Sequence, residues 1–456
     1  MFSMEKLEKK MIPVAEKMGK NKYLTTIRDS FAMVMPLLII GSMFTLVGNF
    51  PIPQWLEFVK GASLGDYTVS ELLSIVPSCT VAMMAIFVSF AIGYNYADHA
   101  NISDKFSSGL ASLTSWLILM PMYTEFAPGE DAEIIQVASI PFAWVGAKGV
   151  FVAIVFGIFA AKIFANIVHR DWTIKMPDGV PPTVSRSFTA LGPLTITFLF
   201  AWIIRVVFTL TPWVDCFTFI YTFLQTPLQA AGGTVWAEAI IFLFAHLLWF
   251  VGIHGTNVTG SVMLPILTAL SAENQAALTA GNALPNIINL QFENNFASFG
   301  GAGSTLSLLI AALIVCRSKR IRELAKLSLA PGIFQINEPV IFGLPIVLNP
   351  VMFIPFLLVP TINILTTYAV MALGLVPICN GVMIPWTTPP IISGLLLCGW
   401  QGAVWQLILI AAGVLIYLPF IKALDKQYLQ EEAETENVEA SDIDSLDLDS
   451  LDLSDL

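Results

Sequence analysis

A chain of 456 residues that is 56% hydrophobic and 12% charged, with a mean hydropathy of +0.76, is too apolar for a water-soluble globule, whose apolar share is about 45–50% with about 25% charge. The composition is that of an all-α polytopic membrane protein. Its net charge of −11 is unevenly placed, because the last thirty residues hold much of the acid while the first twenty-eight hold seven basic residues. The five cysteines, Cys79, Cys216, Cys316, Cys379 and Cys398, show neither pair nor metal spacing, so no disulfide framework, metal site or other cofactor is expected. Nothing in the chain points to a nucleic acid partner.

Residues 1–30 read as a basic amphipathic cytoplasmic segment carrying Lys6, Lys9, Lys10, Lys17, Lys20, Lys22 and Arg28. They do not read as a cleaved signal peptide, since the first apolar stretch starts only at Phe31 and no small-residue cleavage site follows it. Apolar windows that approach the roughly 20 residues of a span fall near 31–49, 74–96, 107–123, 147–168, 189–211, 236–253, 257–270, 299–316, 350–374 and 401–420. The seventh is short. About ten transmembrane helices place both termini on the cytoplasmic side of a membrane, in contact with its lipid.

The loops agree with that count, because cytoplasmic loops carry the excess of Lys and Arg. Arg170, Lys175 and Arg186 fall inside, as do Arg317, Lys319, Arg320, Arg322 and Lys326. The expected outer loops are poor in base: 50–73 has Lys60, 124–146 has four acids and no base, and 271–298 has no base.

Two apolar stretches are broken by proline: 331–349 by Pro331, Pro339 and Pro345, and 380–398 by Pro385, Pro389 and Pro390. Irregular backbone at membrane depth survives only inside protein or beside a wet cavity, so both read as re-entrant hairpins. The glycine cluster from Phe299 to Thr305 lacks the spacing of a phosphate loop. Close helix packing, or backbone contact with a polar ligand, suits it better. From Gln430 onward the chain is mostly Glu, Asp, Ser and Leu, without proline or aromatic residues, which reads as a disordered acidic tail over 425–456.

Two polar triplets interrupt this apolar background. Glu338 lies in Asn337-Glu338-Pro339 within the first hairpin, where a carboxyl either accepts a proton or caps a broken helix. His254 lies between Gly252 and Gly255 and is followed by Thr256 and Asn257. It is either a satisfied core histidine or part of a polar site whose hydroxyl and amide neighbours suit a sugar hydroxyl. Trp249 and Trp386 offer flat faces that suit a pyranose ring or, equally, the aromatic belt of a membrane interface. Glu238 and Arg205 read as members of structural ion pairs between helices.

The runs Met176-Pro177-Asp178-Gly179-Val180-Pro181-Pro182 with Ser187-Phe188, Trp249 to Gly255, and Ile336-Asn337-Glu338-Pro339-Val340-Ile341-Phe342-Gly343 with Pro345 resemble one family. It is the membrane component, enzyme IIC, of the bacterial phosphoenolpyruvate-dependent sugar phosphotransferase system, in its lactose/cellobiose/diacetylchitobiose branch. The likeness spans residues 5–428. It implies a homodimer, with an interface domain over 31–230 holding the first five spans and a mobile transport domain over 231–424. It further implies a disaccharide substrate, with a cellobiose-like β-glucoside foremost, carried inward to a phosphocysteine on a separate phosphorylated enzyme IIB. Glu338 then orients or deprotonates the primary hydroxyl and His254 holds it by a hydrogen bond, while Asn337, Trp249 and Trp386 match sugar-contacting positions; Asn257 is a further substrate-binding candidate. The chain departs from fused members of the family in having an acidic tail where they carry a IIB domain. The runner-up is a proton-coupled sugar transporter in which Glu338 carries the proton, although no inverted repeat or row of intramembrane acids supports it. A sugar sensor calls for a signalling domain, and none is seen.

Overall fold

The computed structural model describes residues 13, 17–50, 52–127, 135–177, 181–344 and 346–445. Asp178, Gly179, Val180 and Pro345 of the family motifs, Lys6, Lys9 and Lys10 of the basic segment, and residues 446–456 of the tail lie outside the described residues.

The chain is mostly helical. Helix α1 (Lys22–Gly48) starts where Asn21 Oδ1 accepts the Tyr23 and Leu24 amides at 3.0 and 3.3 Å, which satisfies donors that a helix start leaves without partners. Helices α2 (Met84–His99), α3 (Lys105–Leu119) and α4 (Val150–His169) follow and pack on one another. Small residues allow that approach: Ser108 Oγ donates to Gly93 O at 2.8 Å and Ser112 Oγ to Ser89 O at 2.6 Å. In lipid such contacts take over much of the holding role that burial from water performs in soluble folds.

Helix α5 (Pro182–Thr209) is followed, across shorter elements, by α6 (Val235–Phe250), α7 (Gly255–Thr279), α8 (Thr305–Val315), α9 (Lys319–Ile333), α10 (Glu338–Gly343), α11 (Pro350–Ala372) and α12 (Ile392–Ser445). Among the described residues, seven helical stretches are long and apolar enough to cross a membrane, and eight if the pair Cys216–Gly232 and Val235–Phe250, bent by 75°, counts as one broken span. Helix α3 has 15 residues, and α7 carries Glu273, Asn274 and Gln275 near its end. The all-helical expectation is corrected in two places by antiparallel ribbons. Strand β1 (Ser63–Leu64) pairs with β2 (Tyr67–Thr68), and β3 (Tyr123–Phe126) with β4 (Ile135–Ala138), the latter in the register Tyr123↔Ala138 to Phe126↔Ile135.

Helices α1 and α7 run side by side in the same direction. At one end Ser42 Oγ donates to Gln275 Oε1 at 2.9 Å and Gln275 Nε2 to Thr45 Oγ1 at 2.6 Å. At the other, Met18 packs with Leu248, Ile253 and Val258.

Four readings change. Residues 271–298 are not a plain outer loop: Asn289 caps a short helix Leu290–Phe292 that widens into a π turn at Glu293–Ala297, and the stretch Leu290–Val315 is the most buried of the seven. Among the described residues Arg205 pairs with no acid, and its Nη1 instead donates to the carbonyls of Ile118, at 3.1 Å, and Met120. Glu238 is buried next to another acid, Glu293, so among the described residues it forms no ion pair of the kind expected. The acidic tail is helical at least to Ser445, as a continuation of α12. It is anchored there, since Glu432 Oε1 accepts from Ser318 Oγ at 2.6 Å and the Arg320 amide at 3.1 Å. Good helix formers extending a docked helix need no core of their own.

Asp425 makes the same junction further in. It is 7% exposed, and its carboxylate accepts the Arg317 amide at 3.0 Å and the Ser318 amide at 2.9 Å, closing the turn between α8 and α9 onto α12. Asp425→Ala strands two inward-facing amides, so a loss of about 2 kcal/mol is expected. A lowered thermal midpoint of the detergent-purified protein is the check, and an unchanged midpoint would remove Asp425 as the anchor.

Candidate functional site

The polar triplet around His254 sits at the turn between α6 and α7. Helix α6 stops as the Gly252 amide bonds Trp249 O and the Ile253 amide bonds Leu248 O at 3.0 and 2.9 Å, with Gly252 at φ +83. That left-handed turn ends helices at little cost only with glycine. Gly255 then begins α7 so close to α6 that a Cβ would lie 1.8 Å from Ala245 O. The two glycines fold the chain back sharply and leave His254 at the bend.

His254 is exposed and serves as the N-cap of α7. Its Nδ1 accepts the Asn257 amide at 3.3 Å and stands 3.2 Å from the Thr256 hydroxyl. A ring nitrogen that accepts from a backbone N–H holds no proton, so the proton sits on Nε2 and that side of the ring is a donor. Trp249 is 6% exposed, with its ring centroid 4.2 Å from that of His254 and its buried indole N–H without a partner among the described residues. Asn257 exposes its side chain in the first turn of α7.

The second triplet follows the end of α9. Gln335, at φ +69, accepts the Gly300 and Gly301 amides at 2.5 and 3.2 Å. Asn337 is 4% exposed and donates to Ala302 O at 3.1 Å. Gly301 permits this seat, as a Cβ there would fall 2.7 Å from Asn337 Cγ. The glycine cluster is thus a backbone cradle for the Gln335–Asn337 segment. Asn337 points its amide into protein, whereas Glu338, the first residue of α10, is exposed.

The segment that follows α10 returns to the first bend. The Leu348 amide donates to Phe250 O at 2.9 Å, and Val347 borders Gly252. The Glu338 carboxyl acts electrostatically on the His254 imidazole. His254 and Trp249 therefore share one bend, and the Glu338 carboxyl lies within electrostatic reach of it.

Trp386 lies on the irregular segment before α12 and is 55% exposed. That segment rests on the broken helix near Gln291: the Ile384 amide meets Gln291 Oε1 at 3.5 Å, and Gln406 joins the Ile391 amide, at 2.5 Å, to Asn295 O, at 2.8 Å. Asn274 ties the same region to α7 through Asn286 O and Cys379 O at 2.7 and 2.9 Å. This buried set of amides was missed in the sequence. The polar run from Asn289 to Asn295 in an apolar chain was the available signal, since unsatisfied amides at membrane depth are costly.

Residues 28–360 match the family model described as "Phosphotransferase system, EIIC". The chain is 38% identical to the lichenan permease IIC component of Bacillus subtilis (strain 168), covering 94% of this chain and 95% of that one. It is 40% identical to the cellobiose-specific EIIC component of Geobacillus stearothermophilus, covering 93% and 95%. Its fold superposes with a TM-score of 0.90, at 38% identity, on the crystal structure of the transporter ChbC, the IIC component from the N,N'-diacetylchitobiose-specific phosphotransferase system, covering 94% of this chain and 99% of that one.

Proposed function

This chain belongs to the phosphotransferase system EIIC family, and from that premise we propose that it carries a disaccharide of the cellobiose type across the cytoplasmic membrane and presents its primary hydroxyl to a phosphocysteine on a separate enzyme IIB. The gathering of His254 and Glu338 from two distant bends carries this reading. An Nε2–H donor and an exposed carboxylate that both reach one hydroxyl are what that hydroxyl needs to become a nucleophile. The imidazole donates to its oxygen and the carboxylate accepts its proton. Phosphoryl transfer needs little beyond such positioning and charge.

Trp249, Asn257 and Trp386 are the proposed sugar contacts. Asn337 contributes by fixing the backbone next to Glu338, with its amide nitrogen committed to Ala302 O. The relatives named for lichenan and cellobiose support a β-linked glucoside as substrate. We assign both termini to the cytoplasm, 31–230 to a homodimer interface domain and 231–424 to a transport domain. Helix α5 supports the interface assignment, being the least buried candidate span, with Leu199, Phe200, Trp202 and Val207 facing outward.

Uptake of labelled cellobiose into vesicles tests the proposal. Sugar phosphate that forms only with phosphoenolpyruvate and the soluble phosphotransferase proteins, and that survives a protonophore, is the expected product. Accumulation of free sugar that collapses with the protonophore would overturn it. For Trp386→Ala we expect binding weakened about threefold to tenfold, the value of one aromatic stacking contact, in a protein that still assembles. Unchanged affinity in a calorimetric titration would return Trp386 to the membrane interface.

A further inference from the structure

The reacting groups named so far carry no positive charge, yet a phosphoryl group bearing about two negative charges has to approach the Glu338 carboxylate. Arg28 answers this. It lies in the first turns of α1, at the end where Met18 packs on Leu248, Ile253 and Val258, next to the bend that holds His254. The parallel course of α1 and α7, fixed at the far end by Ser42, Thr45 and Gln275, sets Arg28 level with the first two turns of α7. Its guanidinium acts electrostatically on His254, as Glu338 does with the opposite sign.

The side chain is held in place. Arg28 Nε donates to Asp29 Oδ1 at 2.8 Å and its Nη2 lies 2.7 Å from the same oxygen, while His99 Nε2 stands 2.9 Å from Asp29 Oδ2. Arg28 is 32% exposed on its side chain, so it is neither sealed in the protein nor free in solvent. A guanidinium with its fork partly committed and the rest open is suited to phosphoryl oxygens.

Resting on the function proposed above, we infer that Arg28 is a catalytic residue that binds the phosphoryl group during its transfer from enzyme IIB to the sugar. In that step the sugar hydroxyl oxygen forms the new P–O bond as the P–S bond of phosphocysteine breaks. The hydroxyl proton passes to Glu338, and the cysteine leaves as a thiolate. Arg28 contacts the equatorial phosphoryl oxygens, where charge spreads in the transition state.

The test uses the purified full chain with cellobiose and phosphorylated enzyme IIB. Arg28→Gln should lower kcat about 100-fold or more, with cellobiose affinity within about twofold of wild type, and Arg28→Lys should recover most of the loss. A kcat within about twofold of wild type for Arg28→Gln, or parallel losses of kcat and sugar affinity, overturns the assignment. If wild type itself yields no sugar phosphate, the functional reading fails, a result distinct from a failure of Arg28 alone. Should Arg28→Gln not assemble, the wild-type protein still decides. Its affinity for cellobiose 6-phosphate should fall about tenfold between low and high salt while that for cellobiose holds, because only the former is electrostatic. Equal indifference to salt overturns the inference.

Discussion

Replacing Glu338 with glutamine is expected to abolish sugar phosphate formation while leaving much of the sugar binding intact. The amide keeps the shape and the hydrogen-bonding edge of the carboxylate but cannot take a proton. A general base in such a step is worth about 10²–10⁴ in rate, so turnover should fall about 100-fold or more. Binding should persist because its proposed contacts lie on other segments: Trp249 on α6, Asn257 on α7 and Trp386 before α12. Glu338→Asp keeps the charge and draws it back by one methylene, so an intermediate rate is expected. Calorimetry on the purified variants, paired with phosphorylation by enzyme IIB, separates the two effects. Normal binding together with normal phosphorylation in Glu338→Gln would remove Glu338 from the chemistry.

The polar triplets were legible because each breaks an apolar run with a local signature. Gly252 and Gly255 announce a bend before its geometry is known, and Pro339 announces a helix start. That the segment after α10 packs on the bend of His254 was not legible from composition or spacing. It depends on Leu348 reaching Phe250 across nearly a hundred residues, and no local pattern encodes such a contact. The resemblance to a family supplied it instead.

Two misreadings have a common cause. The stretch from Asn289 to Asn295 reads as part of an outer loop because it lies between two apolar windows in a segment without Lys or Arg. Here the side-chain amides are spent on backbone groups of a broken helix: Asn289 on its own cap, Gln406 on Asn295 O, and Gln291 on the Ile384 amide. The acidic tail looked disordered because its composition cannot form a core. It needs none to start, since Asp425 and Glu432 dock α12 on the turn before α9, and helix propagation past a fixed start is far less costly than nucleation. In both cases a partner distant in sequence decides how a polar residue is used.

Gly301→Ala should cost both stability and turnover, although Gly301 belongs to neither triplet. Its backbone, at φ +85 and ψ −166, lies in a region that only glycine adopts freely, and other residues held there carry about 1–3 kcal/mol of strain. The new methyl would also fall 2.7 Å from Asn337 Cγ, 2.9 Å from Asn337 Cβ and 2.9 Å from Gln335 O. Asn337 cannot swing away without losing Ala302 O, and Gln335 is pinned to the Gly300 and Gly301 amides. The segment that carries Glu338 has to move. An offset near 1 Å in a reacting group is enough for about a 100-fold loss of rate. Gly374→Ala is the matched control: at φ +71 it bears a left-handed backbone, but nothing lies within 4 Å of its Cβ position. It should lower the thermal midpoint through strain alone and keep normal sugar phosphorylation. If Gly301→Ala behaves like Gly374→Ala, losing stability but not turnover, then the glycine cradle does not position Glu338 and its close contacts serve packing only.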